Sequence, residues 1–320
     1  MLTHIPDEIT FRYQGYRVFF KRSGQSSRAV SDYYLKTDRR PPEYASCRIE
    51  PKVLVLNEQD HSIFVETNAN AMVGPRIDPR KRLVAFWGDS IVMGYGRGWI
   101  RSLSDRFPGY QFLNGGVSGQ SFSETCRRAV YYNSRLPIAY NIVFPGWTQR
   151  LSSDYGEDFR LFLPQLVGAL PNIILCTQPT SLNTAMIDTD PRQYTATKQE
   201  LGFRCGYELW TGDVSVALAH SFWTYVRTVN SIVWETSIAC RNAQQGNVPL
   251  IDLSTRFQTD AAPDFRSDFI DAGHFRVESY PALWDFVCGE LETILPLQYS
   301  VVQIRQPGAG DRPVVPAAGA

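Results

Sequence analysis

The stretch Leu83-Val84-Ala85-Phe86-Trp87-Gly88-Asp89-Ser90-Ile91 is an apolar strand running into a tight turn, followed by a glycine-rich entry at Gly94, Gly96 and Gly98. A serine hydroxyl at a strand-to-helix turn is exposed and lies near backbone N–H groups able to stabilise an oxyanion, which makes Ser90 a candidate nucleophile. Taken alone, Gly88-Asp89-Ser90-Ile91 better suits a turn-forming or helix-capping serine. The surrounding chain has to decide.

Outward from this strand, residues 83–295 alternate between short apolar runs and longer amphipathic stretches, the pattern of a parallel sheet flanked by helices. The strand candidates are Leu83–Trp87, Tyr110–Leu113, Asn141–Phe144, Asn172–Leu175 and Pro249–Leu253. Helices are expected at Trp99–Phe107, Ser121–Tyr131, Glu157–Leu170, Ser221–Gln245 and Pro281–Leu295. In the last, Leu283, Phe286, Val287 and Leu291 share a helix face that should pack on the sheet. Five βα units in succession imply a doubly wound α/β fold. Ligands of such sheets sit beyond the carboxyl ends of the strands, which singles out Gly88–Ser90, Asn114–Gln120, Gly146–Gln149 and the stretch after Leu253.

Residues 1–82 read as a small β-rich appendage, with strand-like segments at Thr10–Phe20, Arg48–Leu56 and Ile63–Thr67. The α/β domain spans 83–300. The segment 178–221 is long for a strand-to-helix connection; carrying Tyr194, Phe203, Tyr207 and Trp210, it is placed to form a lid or substrate wall. Residues 301–320, rich in proline and glycine with little to bury, read as a disordered tail.

Lysine plus arginine equal aspartate plus glutamate at 32 each, so no net field draws nucleic acid or an anionic membrane to the chain. No segment approaches the ~18–20 apolar residues of a membrane span, and the N-terminus lacks the continuous apolar stretch of a signal peptide. The expectation is a soluble, cytoplasmic protein. Cys47, Cys126, Cys176, Cys205, Cys240 and Cys288 are scattered singly, without zinc-ligand spacing, and read as reduced and mostly buried. Neither a metal nor an organic cofactor is implied, and nothing specifies an oligomeric state.

A serine nucleophile needs a base, and the histidines are His4, His61, His220 and His274. His4 is terminal, His61 lies in the appendage and His220 ends the long insertion. His274 follows the fifth strand, and Asp271 stands three residues before it, a spacing that lets the carboxylate fix the imidazole tautomer.

The combination Gly88-Asp89-Ser90, Asn114-Gly115-Gly116-Val117-Ser118-Gly119 and Asp271-Ala272-Gly273-His274 resembles the SGNH hydrolase superfamily, also called GDSL esterases and lipases. The resemblance covers about 83–295. It implies a flavodoxin-like three-layer sandwich on a five-stranded parallel sheet. It also implies Ser90 as nucleophile, His274 as general base, Asp271 as its orienter, and the N–H groups of Ser90 and Gly119 in the oxyanion hole.

The third block departs from the family pattern. Where the family places Gly-x-Asn-Asp, with the asparagine amide as oxyanion donor, this chain has Gly146-Trp147-Thr148-Gln149. Three readings fit: Thr148 or Gln149 substitutes as donor, the threonine hydroxyl being shorter and the glutamine amide approaching from another angle; the substrate itself supplies a donor; or the enzyme is weak or specialised. Asp89, Trp147 and Trp210 are the candidates for substrate contact. The expected activity is hydrolysis of a small acyl ester, of a carbohydrate or a lipid, through an acyl-serine intermediate. Acyl transfer or thioester cleavage by the same triad, and a catalytically reduced ligand-binding protein, are the alternatives.

Overall fold

The computed structural model describes residues 11–13, 15–25, 30, 33–38, 46–94, 99–151, 153–180, 216–242, 246–257, 275 and 279–296. Most of the insertion, with Tyr194, Phe203, Tyr207 and Trp210, lies outside the described residues. So do Asp271, His274 and the tail 301–320.

The N-terminal region builds a four-stranded sheet from β1 (Phe11–Tyr13), β2 (Tyr16–Lys21), β5 (Val53–Asn57) and β6 (Ile63–Glu66), in the order β1-β2-β5-β6. A separate antiparallel pair is formed by β3 (Leu35–Asp38) and β4 (Ser46–Ile49). In β5, Val53 and Val55 are buried and their neighbours half-buried, so one face of the sheet closes over a small core of its own.

The α/β region follows with β7 (Arg82–Gly88), α1 (Ser90–Met93), α2 (Trp99–Arg106), β8 (Tyr110–Gly116), α3 (Phe122–Asn133) and β9 (Ile138–Val143). It continues through α4 (Tyr155–Ala169), β10 (Ile173–Cys176), α5 (Val216–Ala239), a two-stranded pair β11 (Arg241–Asn242) and β12 (Gly246–Asn247), β13 (Leu250–Ile251), α6 (Leu253–Arg256) and α7 (Tyr280–Ile294). The order β13-β10-β9-β7-β8 is all parallel, the 2-1-3-4-5 arrangement of flavodoxin-like sheets. Since the crossovers leave β7 in opposite directions and share one hand, their helices fall on opposite faces and give three layers. Accordingly α3 packs on α4 and α4 on α5, while α2 packs on α7.

Several boundaries differ from the sequence reading, and β9 begins at Ile138 rather than Asn141. Strand β8 runs on through Asn114-Gly115-Gly116, so those residues are sheet rather than loop. Helix α5 begins at Val216 and stops at Ala239, with β11 and β12 beyond it. The last strand is only Leu250–Ile251, because the Asp252 side chain accepts the Thr255 N–H and starts α6 at once. Helix α7 buries Leu283, Trp284, Val287, Cys288 and Leu291, with Phe286 only half-buried.

Strand β8 lies at the edge of the sheet yet every residue in it is buried. The chain leading out of the N-terminal sheet covers it. Val73 N–H donates to Asn114 O at 3.2 Å, Asp78 N–H to Gln111 Oε1 at 2.6 Å, and Gln111 Nε2 to Arg76 O at 2.9 Å. An exposed edge strand would otherwise present unpaired backbone groups. Among the described cysteines, Cys126, Cys176 and Cys288 are buried and free, and burial pushes the Cys126 thiol up to about 12. No helix among the described residues is long and apolar enough to cross a membrane, and no three His, Cys, Asp or Glu among them are grouped as metal ligands.

Candidate active site

Ser90 is the first residue of α1, a single turn that starts at the end of β7 and stops at Gly94, whose left-handed φ of 59° lets its N–H return to Ser90 O. The serine is 5% exposed, so the turn presents it at a buried edge rather than on the open surface. Asp89 caps the turn by accepting Ile91 N–H at 3.1 Å. The turn rests directly on β8: a Cβ at Gly116 would stand 2.3 Å from Met93 N and 2.7 Å from Val92 C. Asn114 holds it there, donating from Nδ2 to Val92 O at 3.0 Å and Met93 O at 3.2 Å while its Oδ1 accepts Gly116 N–H. The sequence reading quoted Asn114 within its second block but assigned it no task; only the meeting of β8 with α1 does so.

After β8 the chain makes a four-residue turn, Val117 to Gln120, closed by Gln120 N–H to Val117 O at 3.2 Å. Gly119, at the third position, has φ 74°, the conformation that a type II turn requires and only glycine adopts freely. Val117 N–H donates to Gly88 O at 3.1 Å, so this turn is joined to the one bearing Ser90. Gly119 itself is exposed at the rim.

The third segment, after β9, is fixed by Asp89. Its Oδ2 accepts Trp147 N–H at 2.5 Å and Thr148 N–H at 3.3 Å. Gly146 has φ 78°, and a Cβ there would lie 2.8 Å from the same oxygen, so a side chain at 146 would break the clamp. Asp89 is 1% exposed with both oxygens engaged. This corrects its reading as a substrate contact: it is the brace between the first and third segments.

Trp147 is likewise corrected. Its indole is buried against Phe222 and Tyr225 of α5, with centroids at 5.8 and 5.9 Å, and the Tyr225 hydroxyl donates to Gly146 O at 2.6 Å. The aromatic side chain anchors the loop to the core instead of lining a pocket.

Of the two candidate oxyanion donors, Gln149 also bonds to two helices. Its Oε1 accepts the Phe122 N–H at the start of α3 at 2.9 Å, and its Nε2 donates to Asp158 Oδ2 at 2.5 Å. The buried amide therefore ties α3, the third segment and α4 together, using its oxygen and one of its two Nε2 hydrogens. Thr148 is half-buried, with its backbone N–H on Asp89.

Ser90, the Gly119 turn and Thr148 thus stand at the carboxyl ends of three neighbouring strands, β7, β8 and β9. At the other end of the same edge, Thr177 Oγ1 donates to Asp252 Oδ1 at 2.8 Å and accepts Ser254 N–H at 2.8 Å, linking the ends of β10 and β13. Burial pushes the Asp252 carboxyl up, but hydrogen bonds from Thr255, Ser254 and Thr177 outweigh it and hold the pKa below its ordinary value. A cleft of about 310 Å³ opens here between Thr180, Trp223, Val226, Asn230 and Ser254; Ser90 does not line it.

No protein-family model and no curated protein matches the chain. Solved structures resembling it include a lipase/acylhydrolase from Enterococcus faecalis, 17% identical, with TM-score 0.45 over 66% of this chain and 96% of that one. A GDSL-like lipase from Bacteroides thetaiotaomicron is 16% identical, with TM-score 0.43 over 69% and 93%. A member of the lipolytic protein G-D-S-L family from Veillonella parvula is 15% identical, with TM-score 0.42 over 67% and 98%.

Proposed function

We propose that this chain is an SGNH-type serine esterase that hydrolyses a small acyl ester through an acyl-Ser90 intermediate. The observation that carries the reading is the joining of three turns at adjacent strand ends: Val117 N–H to Gly88 O, and Trp147 N–H to the Asp89 carboxylate. Together they hold Ser90, Gly119 and Thr148 on one edge of the sheet. Rigid placement of a nucleophile against backbone donors is what acyl transfer demands.

In this reading Ser90 Oγ attacks the acyl carbon while His274 takes the hydroxyl proton and Asp271 orients the imidazole. The carbonyl π electrons move to oxygen, and the resulting oxyanion faces the N–H groups of Ser90 and Gly119. Collapse breaks the ester C–O bond, and the leaving alkoxide takes the proton from His274. Water then attacks the acyl-serine by the same route, releasing the acid and restoring the Ser90 hydroxyl.

One observation favours a second reading, a ligand-binding protein of reduced activity. Thr148, with a hydroxyl shorter than a carboxamide, stands in the asparagine position of the third segment, and the Gln149 amide gives its oxygen and one N–H to α3 and α4. Intact-mass analysis with a fluorophosphonate probe separates the two. Single labelling that vanishes in Ser90→Ala and falls steeply in His274→Ala supports the esterase; a folded protein that stays unlabelled supports the binder.

A further inference from the structure

We propose that the N-terminal β-sheet is a positioning unit for the oxyanion turn, and that Val117 is the positioning residue through which it acts. This rests on the esterase reading above and assigns a task to a region that reading leaves idle.

The described residues contain two hydrophobic cores. The smaller is built from Phe19, Val53, Val55, Val65 and Val73 with other residues of the N-terminal region, and Val117 is the one member drawn from the α/β region. Val117 is 1% exposed in that core. It is also the first residue of the turn that carries Gly119, and its N–H donates to Gly88 O two residues before Ser90. The three attachments converge on one residue: side chain into the N-terminal core, amide onto the nucleophile turn, carbonyl closing the oxyanion turn.

A second link runs in parallel. Val73, in the same core, donates its N–H to Asn114 O, and the Asn114 side chain holds the Val92 and Met93 carbonyls of α1. On the helix side, the Tyr132 hydroxyl donates to Asn70 O at 2.5 Å. A four-residue surface turn containing glycine has little packing of its own, and displacement by about an ångström of a group facing a transition state can cost ~10²-fold in rate. Seating Val117 in a core outside the catalytic sheet restrains the turn from the side that the sheet cannot reach.

The test uses the full chain with Val117→Ala, Val117→Ile and Val53→Ala, the last lying in the N-terminal core away from the turn. Expected for Val117→Ala is roughly a tenfold fall in kcat on a small ester with KM nearly unchanged, less than the ~10²–10³ cost of deleting an oxyanion donor. Fluorophosphonate labelling of Ser90 should slow in step, and Val117→Ile should restore both. Hydrogen exchange at 117–120 should quicken in Val117→Ala and in Val53→Ala while exchange in β9 and β10 stays unchanged. Unchanged kcat together with unchanged exchange at 117–120 overturns the positioning role. So does a uniform rise in exchange across the sheet, which marks general destabilisation. Absence of labelling in the unsubstituted chain removes the esterase reading instead, and the exchange result still decides whether the N-terminal core holds the turn.

Discussion

The Asp89 carboxylate and the Trp147 backbone N–H meet at 2.5 Å, across 58 residues of sequence. Through that bond the turn that presents Ser90 and the loop that follows β9 become one piece. The same carboxylate caps α1 through Ile91, so one buried side chain serves two of the three segments of the site.

Asp89→Asn should therefore be damaging despite its near-identical shape. An amide has one acceptor oxygen where the carboxylate has two, and its NH₂ group would face the Trp147 or Ile91 N–H. We expect a loss of about 1–3 kcal/mol in stability by urea unfolding. In the folded fraction, kcat should fall more than KM rises. An unchanged unfolding midpoint would show that the brace carries no weight.

Thr148→Val and Gln149→Leu should separate catalysis from architecture. Gln149→Leu strands the buried Phe122 N–H and takes one donor from the half-buried Asp158 carboxylate, costing about 1–3 kcal/mol, with Ser90 labelling in the folded fraction little altered. Thr148→Val removes a half-buried hydroxyl, with small effect on stability and a fall in turnover if that hydroxyl faces the oxyanion. Equal turnover of Thr148→Val and the unsubstituted chain would remove Thr148 from the site.

Gly116→Ala should displace α1. The added methyl meets Met93 N and Val92 C, which are backbone atoms and cannot rotate away. Overpacking of this kind costs about 1–3 kcal/mol, and here the strain falls on the nucleophile's own turn. Ser90 labelling should drop sharply in protein whose circular dichroism is retained; full labelling would mean that α1 rides on β8 less tightly than the contact implies.

Asp252 links stability to acidity. Its carboxyl pKa is held below the ordinary value of 3.8 in the folded chain, so the unfolded chain takes up the proton first. Its stabilising contribution is complete above that ordinary value and is lost as pH falls through it toward the depressed folded value. Urea midpoints measured from pH 6 down to pH 2 should decline, and Asp252→Asn should flatten the lowest part of that decline. Parallel curves for the two proteins would refute the assignment.

Much of the architecture was legible in local chemistry. The run Leu83–Trp87, the strand-like Ile173–Leu175 and the helical spacing of Leu283, Val287 and Leu291 each name their element without help from the rest of the chain. Boundaries slipped where two signals compete. Asn114-Gly115-Gly116 reads as loop because asparagine and glycine favour turns, yet these residues stay in β8, where the Trp87 ring and α1 leave no room for a Cβ at Gly115 and Gly116 and the Asn114 side chain bonds to α1.

Side-chain assignments fared differently. Trp147, Gln149 and Asp89 all sit beside the candidate hole in sequence, and proximity in sequence suggested substrate or oxyanion contact. In the fold they point inward, to α5, to the start of α3 and to the third segment's own amides. Val117 carried no sequence signal of the role inferred for it, because a valine two residues before a glycine looks the same whichever core receives it.

By itself the sequence determined the strand-turn-helix that presents Ser90, the succession of βα units and the glycine at 119 that the turn requires. These depend on dihedral preference and hydrophobic period, which act over a few residues. Only the tertiary structure decided which side chains brace the site: that Asp89 reaches Trp147, that Gln149 is used in packing helices, and that Val117 belongs to the N-terminal core. Such pairings depend on strand order, register and the hand of the crossovers, quantities that arise when distant segments are brought together and that no single segment encodes.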